Sequence, residues 1–228
     1  MRSRSLPLLL LSMALVIAVG ASTAAGRTCD STRSLATDEP SNPTETVKLV
    51  FIHHSTGENW LADVQGRLGL ALRDANYFVS DTIYGWGPDG IGSTTDIGHW
   101  WTWFTGPERD RYTAALYREF GDHSYNYSRC SDPDPARENE VILLKSCFPN
   151  SNLGGAPGDP PTTGDNPLRG QDAYHHAMTV GNAKGIYNDI LAYFATRQDK
   201  LFVAITAPPL EASATTPAQA ANARALND

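Results

Sequence analysis

The chain has 228 residues, 41% of them hydrophobic, which is enough to bury one sizeable core, so a single domain is the default. A formal charge of -7 excludes the basic face that nucleic acid or an anionic membrane surface demands of a partner. The three cysteines, Cys29, Cys130 and Cys147, lack the paired C-x-x-C spacing of a zinc site, so no metal is expected.

Residues 1–25 read as a secretory signal peptide. Arg2 and Arg4 form its basic start, Leu6 to Val19 its apolar stretch, short for a membrane span, and Ala21 to Ala25 its small-residue cleavage region. A secreted or extracytoplasmic location follows, with no stable membrane insertion after cleavage. In that oxidising setting Cys130 and Cys147 are the favoured disulfide pair. The alternative makes Cys147, at the end of a strand, a buried thiol. Residues 26–46, rich in Ser, Thr, Asp and Pro without an apolar period, read as a disordered linker, and residues 47–228 as the folded domain.

Within that domain Val47 to His53 forms an apolar strand. A helix carrying Leu61, Val64, Leu68 and Leu72 at helical spacing follows, then a second strand from Tyr77 to Tyr84. A loop rich in glycine and aromatics spans Gly85 to Gly106, and a helix begins near Pro107 with Tyr112, Leu116 and Phe120 on one face. The run Val141-Ile-Leu-Leu, inside the segment Asn139 to Asn152, predicts a central strand buried on both faces. A long Gly/Pro/Asp/Asn loop from Leu153 to Tyr174 is expected at the rim of a site. Val180, Ala183, Tyr187, Ile190, Leu191 and Phe194 mark a further helix, Leu201 to Ala207 a last strand, and Pro217 the start of an alanine-rich helix. Strands alternating with helices predict an α/β three-layer sandwich around a central parallel sheet.

Open α/β sheets place their chemistry where strands end, and Ser55 stands on the turn after the first strand. A hydroxyl beside the free N–H groups of a helix start suits a nucleophile. Ser55 and Glu58 equally fit the capping box S-x-x-E, in which the serine only satisfies backbone donors.

Ser55 after the first strand, Gly85 and Gly87 after the second, and Asn150 or Asn152 after the third together resemble the SGNH (GDSL-type) hydrolases. The resemblance covers most of the chain from Val47 onward, as an order of elements more than as letters. It implies a flavodoxin-like sheet and an esterase in which Ser55 attacks the ester carbonyl. Gly85, Gly87, Asn150 and Asn152 are then the candidate oxyanion donors, and no cofactor is implied. In that family an Asp-x-x-His near the C-terminus supplies the base. Here His53-His54-Ser55 replaces Gly-Asp-Ser, Lys145 to Asn150 replaces Gly-x-Asn-Asp, and no Asp-x-x-His follows the strand Leu201 to Ala207. The resemblance therefore places the base beyond one more helix and strand after Leu201 to Ala207, and, with the chain ending inside that helix at Asp228, makes it a fragment.

His54 adjoins Ser55, but consecutive residues leaving a strand point to opposite faces, which makes proton transfer between them awkward; His175 and His176, at the end of the long loop, are the other internal histidines weighed as bases. His53 and His54 lack the spacing of metal ligands, and His99 and His123 read as ordinary polar residues. Trp86, Trp100 and Trp101, with His54, are the candidate substrate-binding residues, since exposed rings stack on sugars; the alternative is that the tryptophans anchor the loop in the core. Two functions are carried forward: a secreted serine esterase acting on small-molecule or glycan esters, and a non-catalytic exported glycan-binding module in which Ser55 only caps a helix.

Overall fold

The computed structural model describes residues 41–124, 126–130 and 134–228. The signal peptide, residues 26–40 of the linker and Cys29 lie outside them. Four strands form the sheet: β1 (Val47–Ile52), β2 (Tyr77–Thr82), β3 (Val141–Lys145) and β4 (Leu201–Ile205). All pairings are parallel, in the order β2-β1-β3-β4, with Ile52 opposite Thr82 on one side and Leu144 on the other. The apolar runs of β1 and β3 are what a strand covered on both faces needs.

Residues alternate between the two faces of the sheet. Leu49, Phe51, Val79 and Val141 pack under α1 (Thr56–Leu61) and α2 (Leu68–Asp74), through Leu61, Leu68 and Leu72. Val50, Ile52, Ile142 and Leu144 pack under α3 (Ile97–Phe104), α4 (Arg109–Tyr117), α5 (Val180–Phe194) and α6 (Pro217–Asn227). The chain runs one way from β1 to β2 and the other way from β2 to β3 to β4. One consistent crossover hand then requires helices on opposite faces. The change of direction falls between β1 and β3, so their carboxyl ends flank the crevice in which such sheets bind ligands.

Several expectations are corrected. The single helix expected after β1 is two helices, because Arg67 takes a left-handed φ of 59° and Val64 lands on the exposed turn between them. The loop expected from Gly85 to Gly106 contains a 3₁₀ turn, Pro88–Ser93, and all of α3. Trp100, Trp103 and Phe104, three and four apart, put one face of α3 wholly into the core. Residues 41–46 are docked, with Thr46 buried and bonded to Asn76 and the Pro43 carbonyl held by the same asparagine. Cys147 is a free, half-buried thiol, while Cys130 is disulfide-bonded, so the Cys130–Cys147 pairing is wrong. The 3₁₀ turn Phe148–Ser151 fixes Cys147 at the end of β3, which suits the alternative reading of an unpaired thiol there.

The edge strand β4 is apolar along its whole length, Leu-Phe-Val-Ala-Ile, yet none of its residues is buried. Among the described residues no helix is long and apolar enough to cross a membrane.

Candidate functional site at the carboxyl edge of the sheet

The turn from β1 into α1 is tightly packed. A Cβ on Gly57 would lie 2.4 Å from His53 Cβ and 2.7 Å from its Nδ1, so only glycine lets the helix press onto that imidazole. The chain must reverse within Ser55, which takes φ 48° and ψ -111°, a region that costs a non-glycine residue about 1–3 kcal/mol. Ser55 is exposed, and its side chain caps nothing. The capping box is therefore absent. Its backbone N–H and that of Thr56 have no partner among the described residues.

His53 and His54 leave the strand on opposite sides, as their adjacency predicts. His54 Nε2 donates to the Gly92 carbonyl at 2.5 Å, and its ring stacks on Tyr84 with centroids 3.9 Å apart. This ties the loop after β2 to the end of β1. Burial depresses the His54 pKa, against the pull of the Gly92 bond and of Asp96. The residue is buried and directed away from solvent, so it positions the loop and is not an exposed substrate contact.

On the other face His53 lies in a fully buried network. Its Nε2 is 3.0 Å from Asp81 Oδ2 and 2.9 Å from Ser124 Oγ; Asp81 also accepts the hydroxyls of Ser124 and Tyr127 and the His123 N–H. Serine, histidine and aspartate meet here without making a catalytic triad. A triad uses one imidazole nitrogen for the acid and the other for the serine, whereas here both partners share Nε2 and Nδ1 is left buried and unpaired. Burial would raise the Asp81 pKa, but the bonds from His53, the His123 N–H and Ser124 hold it below the ordinary carboxylate value.

The oxyanion candidates divide into two groups. The Gly85 N–H is committed to Ser93 Oγ at 2.8 Å. Asn150 is fully buried: Nδ2 donates to Asp96 Oδ1 at 2.6 Å and to the Cys147 carbonyl at 2.9 Å, while Oδ1 accepts the Ile97 N–H at 2.8 Å. Both residues thus leave the donor set. Gly87, at φ 76°, keeps its N–H unpaired among the described residues, and Asn152 is exposed on the rim.

Asp96 gathers the edge together. It caps α3 in a capping box with His99, accepts Asn150, and takes the Ala173 N–H at 3.0 Å, which fixes the end of the long loop. The end of that loop is thereby held at the carboxyl edge of the sheet. His99 is mostly buried, and burial lowers its pKa despite Asp96 and Asp172. His175 accepts the Ala177 N–H and stacks on His176 with centroids 4.1 Å apart, while His123 pairs with Glu119 at 3.0 Å.

The tryptophans belong to the core. Trp86 is buried, stacks in parallel on Trp103 with centroids 5.8 Å apart and donates to Glu119; Trp100 is 1% exposed. Trp101 is half-buried, with the Arg169 guanidinium 5.6 Å from its ring centre. None of the three is a free sugar platform.

Sequence reasoning passed over Lys145 and the exposed rings of Tyr84, Phe148 and Tyr174. Lys145 is 2% exposed, donates to the Ser146 carbonyl at 3.2 Å and lies 5.6 Å from the centre of the Trp60 ring. No ion pair with a carboxylate forms among the described residues, and burial depresses its pKa against the influence of Cys147. Its position as the last residue of β3 was the available signal. Among the described residues no cluster of three His, Cys, Asp or Glu side chains could hold a metal ion.

Comparison of the chain with protein-family models, curated proteins and solved structures finds no match.

Proposed function

We propose that the chain is an exported serine ester hydrolase of the SGNH type, with Ser55 as nucleophile. The observation that carries this reading is the state of Ser55: exposed, strained at φ 48°, capping nothing, and seated where the sheet reverses direction. A serine on a sharp strand-to-helix turn presents its oxygen to solvent, and strain kept without a structural return is the mark of a residue retained for chemistry. In the reaction Oγ bonds to the ester carbonyl carbon as its proton passes to the histidine base that the SGNH pattern draws from an Asp-x-x-His, a motif that does not follow Leu201 to Ala207 in this chain. The tetrahedral intermediate then expels the alcohol, which takes a proton, and water hydrolyses the acyl-enzyme to acid and free serine. The unpaired N–H groups of Ser55 and Gly87 and the Asn152 amide are the donors left to face the oxyanion.

The binding-module alternative made Ser55 a helix cap, and that bond is missing. Reaction of the protein with a fluorophosphonate probe, followed by peptide mapping, tests the proposal. Labelling at Ser55 supports it; an unlabelled Ser55 in protein that hydrolyses esters assigns the chemistry to another residue.

A further inference from the structure

Every exposed aromatic side chain among the large apolar residues of the described chain lies at the carboxyl edge of the sheet. Tyr84 is 56% exposed, Phe148 54% and Tyr174 80%. The other exposed large residues, Val64, Leu191, Leu201 and Val203, are aliphatic and lie elsewhere: on the turn after α1, on α5 and on β4. We infer that Tyr84, Phe148 and Tyr174 form a rim that binds the sugar rings of a neutral glycan and presents its ester to Ser55. The inference deepens the esterase reading and rests on it for the position of the ester.

The Tyr84 ring and the backbone segments that carry Phe148 and Tyr174 are held before any ligand arrives. Tyr84 stacks on His54, the neighbour of Ser55, at 3.9 Å. Phe148 opens the 3₁₀ turn whose next two residues, Pro149 and Asn150, are buried, and Asn150 is locked to Asp96. Tyr174 follows Ala173, whose N–H is held by Asp96, and its own N–H is held by Asp172 at 2.8 Å. Asp96 therefore connects the segments that carry Phe148 and Tyr174, and its charge is felt at both Tyr84 and His54. A rim held in this way loses little freedom on binding.

The chemistry between the rings selects the ligand. Ser55, Thr56 and Asn152 are exposed and uncharged, whereas Lys145 is sealed beneath the edge and the Asp96 side chain is only 17% exposed. Apart from Asp172 and His176 beside Tyr174, the edge presents flat rings and neutral hydrogen-bonding groups, which match a sugar with its apolar face and hydroxylated perimeter. A purely aliphatic ligand would leave the polar groups without partners. An anionic ligand would meet exposed Asp172 and a chain of net charge -7.

Affinity electrophoresis through gels containing a neutral polysaccharide, glucomannan or xylan stripped of acid groups, reads this binding without turnover. Wild type should be retarded by at least one of the two, and less by anionic polygalacturonate. Tyr84→Ala with Tyr174→Ala should weaken retardation at least about tenfold, whereas Tyr84→Phe with Tyr174→Phe, which keep the rings, and Val64→Ala, remote from the edge, should not. Far-UV circular dichroism verifies that each variant is folded. Wild type unretarded by both neutral polymers, equal retardation of the alanine double variant, or stronger binding to polygalacturonate overturns the inference. Loss of serine labelling with retardation intact would instead remove the esterase reading and leave the rim standing.

Discussion

Asn150 grips Asp96 across 54 positions of sequence through a 2.6 Å hydrogen bond from its amide to Oδ1. The same asparagine binds the Ile97 N–H and the Cys147 carbonyl, so it joins the end of β3 to the start of α3. Asn150→Ala leaves these buried groups unmatched and should cost about 2–4 kcal/mol in urea unfolding. Asn152→Ala, at an exposed position, should stay within about 0.5 kcal/mol of wild type while slowing ester turnover about a hundredfold, as loss of an oxyanion donor does. The reverse pattern would return Asn150 to the donor set.

Ser55 separates strain from capping. Ser55→Gly relieves the positive φ and should raise stability by about 1 kcal/mol after glycine's own entropic cost, while Ser55→Ala should leave it within about 0.5 kcal/mol because no cap bond is lost. Both should abolish fluorophosphonate labelling. A drop of about 1 kcal/mol in Ser55→Ala would mean that the serine caps α1 in solution after all.

Asp81 predicts an acid limit. Its folded pKa lies below the unfolded value, so unfolding takes up a proton, and its contribution is present above the unfolded value of about 4 and is lost as pH falls below it through the lower folded pKa. Thermal midpoints measured from pH 7 to pH 3 should fall most steeply at the acid end. Asp81→Asn should lie lower at pH 7 and show a shallower acid decline.

Lys145 works in the opposite sense. Burial lowers its folded pKa, so the charged form destabilises the fold at neutral pH, and this handicap shrinks as pH rises toward the unfolded value of about 10.4. Lys145→Met should therefore melt higher than wild type at pH 7, with the gap narrowing by pH 10. A lower midpoint for the methionine variant at pH 7 would show that the ammonium is well satisfied.

The α/β class, the parallel sheet and the position of Ser55 were legible because they are written in local pattern: a β-branched run, an abrupt polar stop, then a helix. The tryptophans' burial was legible as the alternative that they anchor the loop in the core, but α3 itself was not, because the glycines around it look like loop while the spacing of Trp100, Trp103 and Phe104 states helix. The fate of Asn150 depends on Asp96 and Ile97, which no local window contains. Cys147 stayed unpaired for the same reason, since spacing along the chain says nothing of distance across a sheet. His53 and His54 were separable only by the alternation of the strand, which sends one to a buried carboxylate and the other to a carbonyl.

The bare apolar flank of β4 has a colloidal meaning. The outer backbone groups of β4, which pair with no other strand among the described residues, flanked by exposed Leu201 and Val203, make an adhesive side for a second copy. Copies of the chain repel one another through their shared negative charge, and that repulsion reaches only about 8 Å at physiological ionic strength. The described domain thus sets an adhesive strand edge against a salt-dependent repulsion, and added salt weakens the repulsion without altering the fold.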